Sequence, residues 1–115
     1  MTKPSDWKNE PMPEEKDIFH SGRKLSHSEY SKLKAGIKPT NMDDKWFVYS
    51  MYNSIYFHRS WTGHCIFIVN VKKDNGNIFL ENVVVNRDSA QFGTSDIELN
   101  KEMFKKLVDL VILRN

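Results

Sequence analysis

The sequence predicts a single α+β domain in which an antiparallel four-stranded meander, about residues 45–86, carries a C-terminal helix on one face. Three observations lead to this fold class. Segments rich in aromatic and β-branched residues follow one another with short turns between them. An apolar stripe at helical spacing follows them, and the length of 115 residues suits one domain.

The strands are predicted at residues 45–52, 55–60, 65–71 and 78–85. Asn53-Ser54 and Thr62-Gly63 are predicted to be turns, and Asp74-Asn75-Gly76-Asn77 is the strongest turn signal because Asn-Gly suits a two-residue hairpin loop. Connections this short join antiparallel neighbours, so consecutive strands are expected to pair.

Two helices flank the predicted sheet. A short N-terminal helix at residues 26–35 starts with a capping box of Ser26 and Glu29 and stops at Gly36. The C-terminal helix, residues 97–113, starts with a second predicted capping box of Ser95 and Glu98. Its apolar stripe comprises Leu99, Met103, Leu107, Leu110 and Val111.

Both faces of the first predicted strand carry bulky side chains, since Trp46 and Val48 alternate with Phe47 and Tyr49. The C-terminal helix can cover only one face. The other face needs the N-terminal segment, a second copy of the chain or a ligand, and two-sided apolar strands therefore favour a homodimer.

Residues 1–17 are predicted to form a flexible tail and residues 18–115 the domain, because the first segment is polar and proline-rich and shows no periodicity. Trp7 is the exception within the tail. A tryptophan there predicts docking onto the domain or onto a partner.

The bulk composition restricts the classes of function. A net charge of +2, from 17 basic and 15 acidic residues, argues against a dedicated nucleic-acid binder and gives no reason to expect a membrane partner. The single cysteine, Cys65, forms no internal disulfide and indicates a reducing compartment. The polar stretch Met1 to Glu15 lacks the apolar core of a signal peptide, so we expect a cytoplasmic bacterial or phage protein.

The stretch His58-Arg59-Ser60-Trp61-Thr62-Gly63-His64 concentrates polar functional groups between two strands. Arg59 offers a rigid fork of donors for phosphate or carboxylate, and Trp61 offers a flat surface for a base or sugar. Ser60, Thr62 and the backbone beside them could complete an anion site. The alternative is that Trp61 is core, Arg59 pairs with a nearby acid and the glycine only permits a bend.

Two further polar segments are candidates. The loop of residues 86–96, which opens with Asn86-Arg87-Asp88 and also contains Gln91, Thr94 and Asp96, leads into a helix N-terminus, and such a terminus favours anions. The loop Lys38 to Lys45 could form the rim of a pocket. The alternative in both cases is an ordinary solvated connection.

The sequence predicts no metal, cofactor or catalytic residue. The soft ligands His20, His27, His58, His64 and Cys65 lack metal-site spacing. His64 and Cys65 should point to opposite faces of a strand, and Cys65 is expected to be a buried small hydrophobe. The acidic clusters Asp43-Asp44 and Asp88/Asp96 do not specify acid/base chemistry.

Three segments, KPTNMDDKWF (residues 38–47), YFHRSWTG (56–63) and VNRD (85–88), resemble a family of small bacterial and phage proteins. The resemblance covers about residues 38–112. Relatives in that family occur near proteins that handle ADP-ribose or related nucleotides. The resemblance implies a link to nucleotide metabolism but no particular activity.

The first hypothesis is non-enzymatic binding, or sequestration, of a small anionic nucleotide-type ligand, such as an ADP-ribose derivative or a cyclic nucleotide signal. A phage could use such a protein for anti-defence. The predicted ligand-binding residues are Trp46, His58, Arg59, Ser60, Trp61, Thr62, Asn86, Arg87 and Asp88. The alternatives are an enzyme on a nucleotide or ADP-ribosyl substrate, with His58 or Asp88 as acid/base, and a protein-interaction module without a small ligand.

Overall fold

The structure, a computed structural model, describes residues 1–115 as an α+β fold with five strands, two α-helices and a short 3-10 turn. The elements, in chain order, are the 3-10 turn Pro4–Asp6, β1 (Lys16–Leu25), α1 (His27–Ala35), β2 (Trp46–Met51), β3 (Ser54–Arg59), β4 (Cys65–Asp74), β5 (Asn77–Asn86) and α2 (Ile97–Arg114).

The sheet has five strands in the order β1-β5-β4-β3-β2, and every neighbouring pair is antiparallel. The four predicted strands form the expected meander, but the prediction of four strands is wrong because β1 adds a fifth beside β5. Strand β1 is an edge strand with few apolar residues, and a register shift between His20 and Arg23 interrupts its alternation. Lys16 and Asp17, assigned above to the tail, belong to this strand.

The predicted turn residues are confirmed in the β4–β5 hairpin and are shifted by one position in the β2–β3 hairpin. Asn75 and Gly76 both have positive φ, 49° and 80°, as a type I′ turn requires. In the β2–β3 hairpin, however, Met51 pairs with Ser54, so the turn residues are Tyr52 and Asn53 rather than Asn53 and Ser54.

Capping fixes the start of each helix. The predicted capping box of Ser26 and Glu29 is present at α1. The prediction for α2 is one residue off, because Asp96, not Ser95, is the N-cap, and its carboxylate accepts hydrogen bonds from the amides of Glu98 and Leu99.

Both helices pack on the same face of the sheet, where the core lies. On α2 the centre of the buried stripe is Phe104, whose ring packs edge-on against Phe19, Phe57 and Phe67. The predicted stripe is therefore partly wrong: Leu107 and Val111 are buried, but Leu99 and Leu110 are 52% and 38% exposed.

One end of the opposite face of the sheet is covered by the chain's own N-terminal segment. The Trp7 indole donates to the carbonyl of Ser60 (2.7 Å), the Glu10 amide to that of Gly63 (2.8 Å), and Glu15 accepts from the Arg87 amide (2.8 Å). Beneath this segment Phe47, Tyr49, His58 and Cys65 are at most 4% exposed. The segment therefore covers only part of this face, since Ile18, which alternates with the core residue Phe19, stays 59% exposed on it. The homodimer stays a prediction.

No helix combines the length and the apolar character that crossing a lipid bilayer requires.

Candidate functional site

The predicted stretch His58–His64 ends β3 and forms the β3–β4 turn. Its backbone is used internally: the Gly63 amide donates to the Arg59 carbonyl (2.8 Å) and the Ser60 amide to the Lys45 carbonyl (2.9 Å). The Ser60 hydroxyl donates to the carbonyl of Asp44. Gly63 takes a φ of 81°, which this tight turn needs. These groups are committed to the turn and do not form the predicted anion cradle.

His58 faces the side of the sheet away from the helices and is 1% exposed. Its Nδ1 lies 2.9 Å from the Gly63 carbonyl and its Nε2 lies 3.3 Å from the Tyr49 hydroxyl. Because a carbonyl only accepts, Nδ1 carries a proton in this hydrogen bond. Burial lowers the pKa of His58, and the hydrogen bond to Gly63 opposes that shift in part. His58 therefore stabilises the β3–β4 turn, and its side chain does not lie on the face of the sheet that the helices cover.

Arg59 points the other way, toward α2, and has no acidic partner. Its guanidinium carbon lies 4.6 Å from the ring centre of Trp46, its cross-strand neighbour. It takes part in none of the ion pairs or side-chain hydrogen bonds of the molecule. Partial burial lowers the pKa of Arg59. The alternative that Arg59 pairs with a local acid is therefore wrong.

Arg59 lies where two cavities meet on the helix side of the sheet, and we call the combined cleft the Arg59 groove. The first cavity, the polar arm, has a volume of about 400 Å³. It is lined by Lys45, Arg59, Trp61, Thr62, Gln91, Phe92, Gly93 and Thr94. The second, the apolar arm, has a volume of about 660 Å³. It is lined by Trp46, Arg59, Thr94, Leu99, Glu102, Met103, Lys106, Leu107 and Leu110.

The groove carries an excess of positive charge. Lys45, Arg59 and Lys106 line it, and none of them is in an ion pair. Glu102 is the only acidic residue of the lining. Three uncompensated cations facing one carboxylate make this cleft attractive to an anion.

Trp61 is 58% exposed, so the alternative that it belongs to the core is wrong. Its indole nitrogen donates to the carbonyl of Met42 (2.9 Å), which fixes the side chain at the edge of the polar arm. The ring is both held in place and accessible, which suits contact with the face of a base or a sugar.

The predicted residues Asn86 and Arg87 support the groove from behind. The Asn86 amide donates to the Cys65 carbonyl and to the Gln91 side chain, both at 2.9 Å. Arg87 reaches the Thr94 carbonyl at 3.5 Å. Neither lines the groove, but Gln91 and Thr94 do.

Asp88 shapes the same loop. Its carboxylate accepts from the Ala90 amide (2.9 Å), and its own amide donates to the Asn86 side chain (2.8 Å). Its carbonyl accepts from the amides of Gln91 and Phe92. The run Asn86-Arg87-Asp88 therefore sets the path of the loop that walls the polar arm.

Sequence reasoning missed the α2 wall of the groove. Leu99, Met103 and Leu110, assigned to the core stripe, line the groove together with Glu102 and Lys106. The available signal was the width of the apolar stripe, because Phe104 and Val108 give α2 a second apolar row.

The remaining reactive groups form no further centre. No group of three or more His, Cys, Asp or Glu side chains could hold a metal ion. Cys65 is buried, and burial raises the pKa of its thiol to about 12.

Comparison with family models, with curated proteins and with solved structures finds no match to this chain. The resemblance described for residues 38–112 stays a prediction. The groove is accordingly interpreted from its own chemistry.

Proposed function

We propose that this protein binds a small anionic nucleotide-type ligand in the Arg59 groove and does not turn it over. The observation that carries the proposal is the half-buried, unpaired guanidinium of Arg59, stacked on Trp46 where the two arms meet. Partly desolvated arginines are ordinarily compensated by a carboxylate, and here that partner is missing.

The stacking on Trp46 prepares Arg59 for an anion. The indole fixes the plane of the guanidinium, so less side-chain entropy is lost when its donors engage a ligand. A phosphate can accept two parallel hydrogen bonds from that fork, which gives direction as well as attraction. Lys45 and Lys106 add charge on either side.

The other predicted residues divide into two groups. Trp61 and Thr62 line the groove and would contact the ligand, together with Gln91 and Thr94. The remaining five position the lining, and they are His58, Ser60, Asn86, Arg87 and Asp88.

The enzyme hypothesis has less geometric support. His58 is 1% exposed and both ring nitrogens have partners, so it cannot touch a ligand in the groove. Asp88 does not line the groove, and one oxygen of its carboxylate accepts a hydrogen bond from the Ala90 amide. The interaction-module hypothesis and the homodimer stay predictions, but Trp7, offered above as a docking residue, binds its own chain at Ser60.

Native mass spectrometry tests the proposal. Wild-type protein is incubated with the four common nucleoside diphosphates and compared with Arg59→Gln and with Lys24→Gln. Lys24 is an exposed cation on β1, at the opposite edge of the sheet, so it controls for the loss of one charge. We expect a 1:1 adduct with the wild type and the control that is lost in Arg59→Gln. No adduct with any diphosphate, or an adduct that survives in Arg59→Gln, contradicts the proposal.

A further inference from the structure

The two arms of the Arg59 groove differ in chemistry. The polar arm presents Lys45, Thr62 and Gln91 beside the exposed ring of Trp61. The apolar arm presents a partly exposed wall of aliphatic side chains, formed by Leu99, Met103 and Leu110.

Arg59 and Thr94 are the only residues shared by the two arms. A ligand that fills both arms therefore passes over Arg59 and Thr94, and negative charge at that point complements the guanidinium. Each arm, at about 400 and 660 Å³, is large enough to take a group of its own.

We infer that the ligand is an extended nucleotide with the charge in the middle: a nucleoside diphosphate that carries a second, hydroxyl-rich group, as in nucleotide sugars and dinucleotides. This inference rests on the proposed function and narrows it. The diphosphate lies over Arg59, the base lies in the apolar arm, and the second group lies in the polar arm. A cyclic mononucleotide, being compact, would leave one arm empty.

The assignment of each end follows from the lining. A base buries a flat, largely apolar surface, which suits Leu99, Met103 and Leu110, and the Glu102 carboxylate at the rim can accept from an exocyclic amino group. A sugar offers hydroxyls to Thr62 and Gln91 and an apolar ring face to Trp61.

Isothermal titration of the full chain with two matched ligand series tests the inference. The adenosine series is AMP, cyclic AMP, ADP and ADP-ribose, and the uridine series is UMP, UDP and UDP-glucose, so that base preference does not decide the result. In the series that binds, we expect the two-ended ligand to bind at least about 10-fold more tightly than the plain diphosphate, because it fills the second arm.

Two variants locate the ends. Trp61→Ala should weaken binding of the two-ended ligand more than binding of the plain diphosphate, whereas Leu99→Gln should weaken binding of both by a similar factor. Both side chains are more than half exposed, so neither change threatens the fold. Tyr52→Ala, an exposed aromatic at the other end of β3, is the control for Trp61.

The possible failures are distinguishable. Equal affinity for ADP and ADP-ribose, or tightest binding of cyclic AMP, would contradict the inference that the ligand is extended. The proposed function would still stand if that binding were lost in Arg59→Gln. An unchanged advantage of the two-ended ligand in Trp61→Ala also overturns the assignment of the arms. Absence of binding by the wild type in both series overturns the inference and the proposed function together.

Discussion

His58 and Arg59 are neighbours in the chain, yet the pleat of β3 sends them to opposite faces with opposite roles. His58 is buried and hydrogen-bonded to Gly63 and Tyr49, so it stabilises the turn. Arg59 is half buried and unpaired, so it is available to a ligand. The sequence predicted that the two side chains alternate between the faces of β3. It did not predict which face the N-terminal segment covers, because that depends on tertiary contacts.

The lowered pKa of His58 predicts a pH-dependent stability. The folded-state pKa lies below the ordinary value of 6.5, so the unfolded chain takes up a proton that the folded chain resists. The stabilisation is complete above pH 6.5 and is lost as the pH falls from there toward the folded-state pKa. We expect the free energy of unfolding, measured in urea, to decrease between pH 7.5 and 5.5.

His58→Gln should remove this decrease in the free energy of unfolding with falling pH, although the variant will be less stable at every pH. His20→Gln, which changes an exposed histidine on β1, should keep the slope of the wild type. An equal slope in His58→Gln and the wild type would show that another group is responsible.

At the scale of the elements, the sequence predicted the meander β2–β5 and both helices, because strong alternation, Asn-Gly and a capping box all act locally. It missed β1, whose residues have little apolar alternation and become a strand only by pairing with β5. It also misjudged the rotation of α2. The aromatic cluster around Phe104 sets that rotation, and Leu99 and Leu110 are left facing the groove.

Gly36 ends α1 and brings Ile37 onto the edge of β2, where it forms a bridge with Val48. Its φ is 74°, and a Cβ there would lie 2.1 Å from the Val48 carbonyl oxygen. Gly36→Ala should therefore lower the free energy of unfolding by at least about 2 kcal/mol, as measured by chemical denaturation.

Gly93 is the matched control, since a Cβ there meets nothing within 4 Å. Gly93→Ala should change the free energy of unfolding by less than about 0.5 kcal/mol. Equal effects of the two substitutions would mean that the contact with Val48 does not constrain the connection.

At the scale of the whole molecule, the N-terminal segment completes the fold. It crosses the sheet from β2 to β5, and it covers the part of the open face where Phe47, Tyr49, His58 and Cys65 are buried. Proline-rich composition predicted a tail, and only the lone Trp7 indicated docking. The groove was harder to predict from the sequence, because two distant stretches of the chain supply its lining: residues 45–62 on one side, and residues 91–110 on the other.

Trp7 anchors this segment, so Trp7→Ala should loosen it and expose Cys65. In the wild type the thiol is buried and its pKa is raised to about 12, so its alkylation at pH 8 should be slow. Loss of the indole hydrogen bond and its packing should cost about 1 kcal/mol or more and speed alkylation by about 5-fold or more. Lys8→Ala, an exposed neighbour, should leave the rate unchanged, and equal rates in the two variants would contradict the covering role.

The central claim is that Arg59 receives an anion, and the most direct test is the affinity for ADP of the wild type, Arg59→Lys, Arg59→Gln and the Lys24→Gln control. Losing a charged hydrogen bond costs about 1.5–3 kcal/mol, so Arg59→Gln should bind about 10- to 100-fold more weakly. The affinity of Arg59→Lys for ADP should lie between those of the wild type and Arg59→Gln, because lysine keeps the positive charge but lacks the two parallel donors of the guanidinium. If Arg59→Gln, folded as the wild type, binds ADP with the affinity of Lys24→Gln, then the groove is not the site.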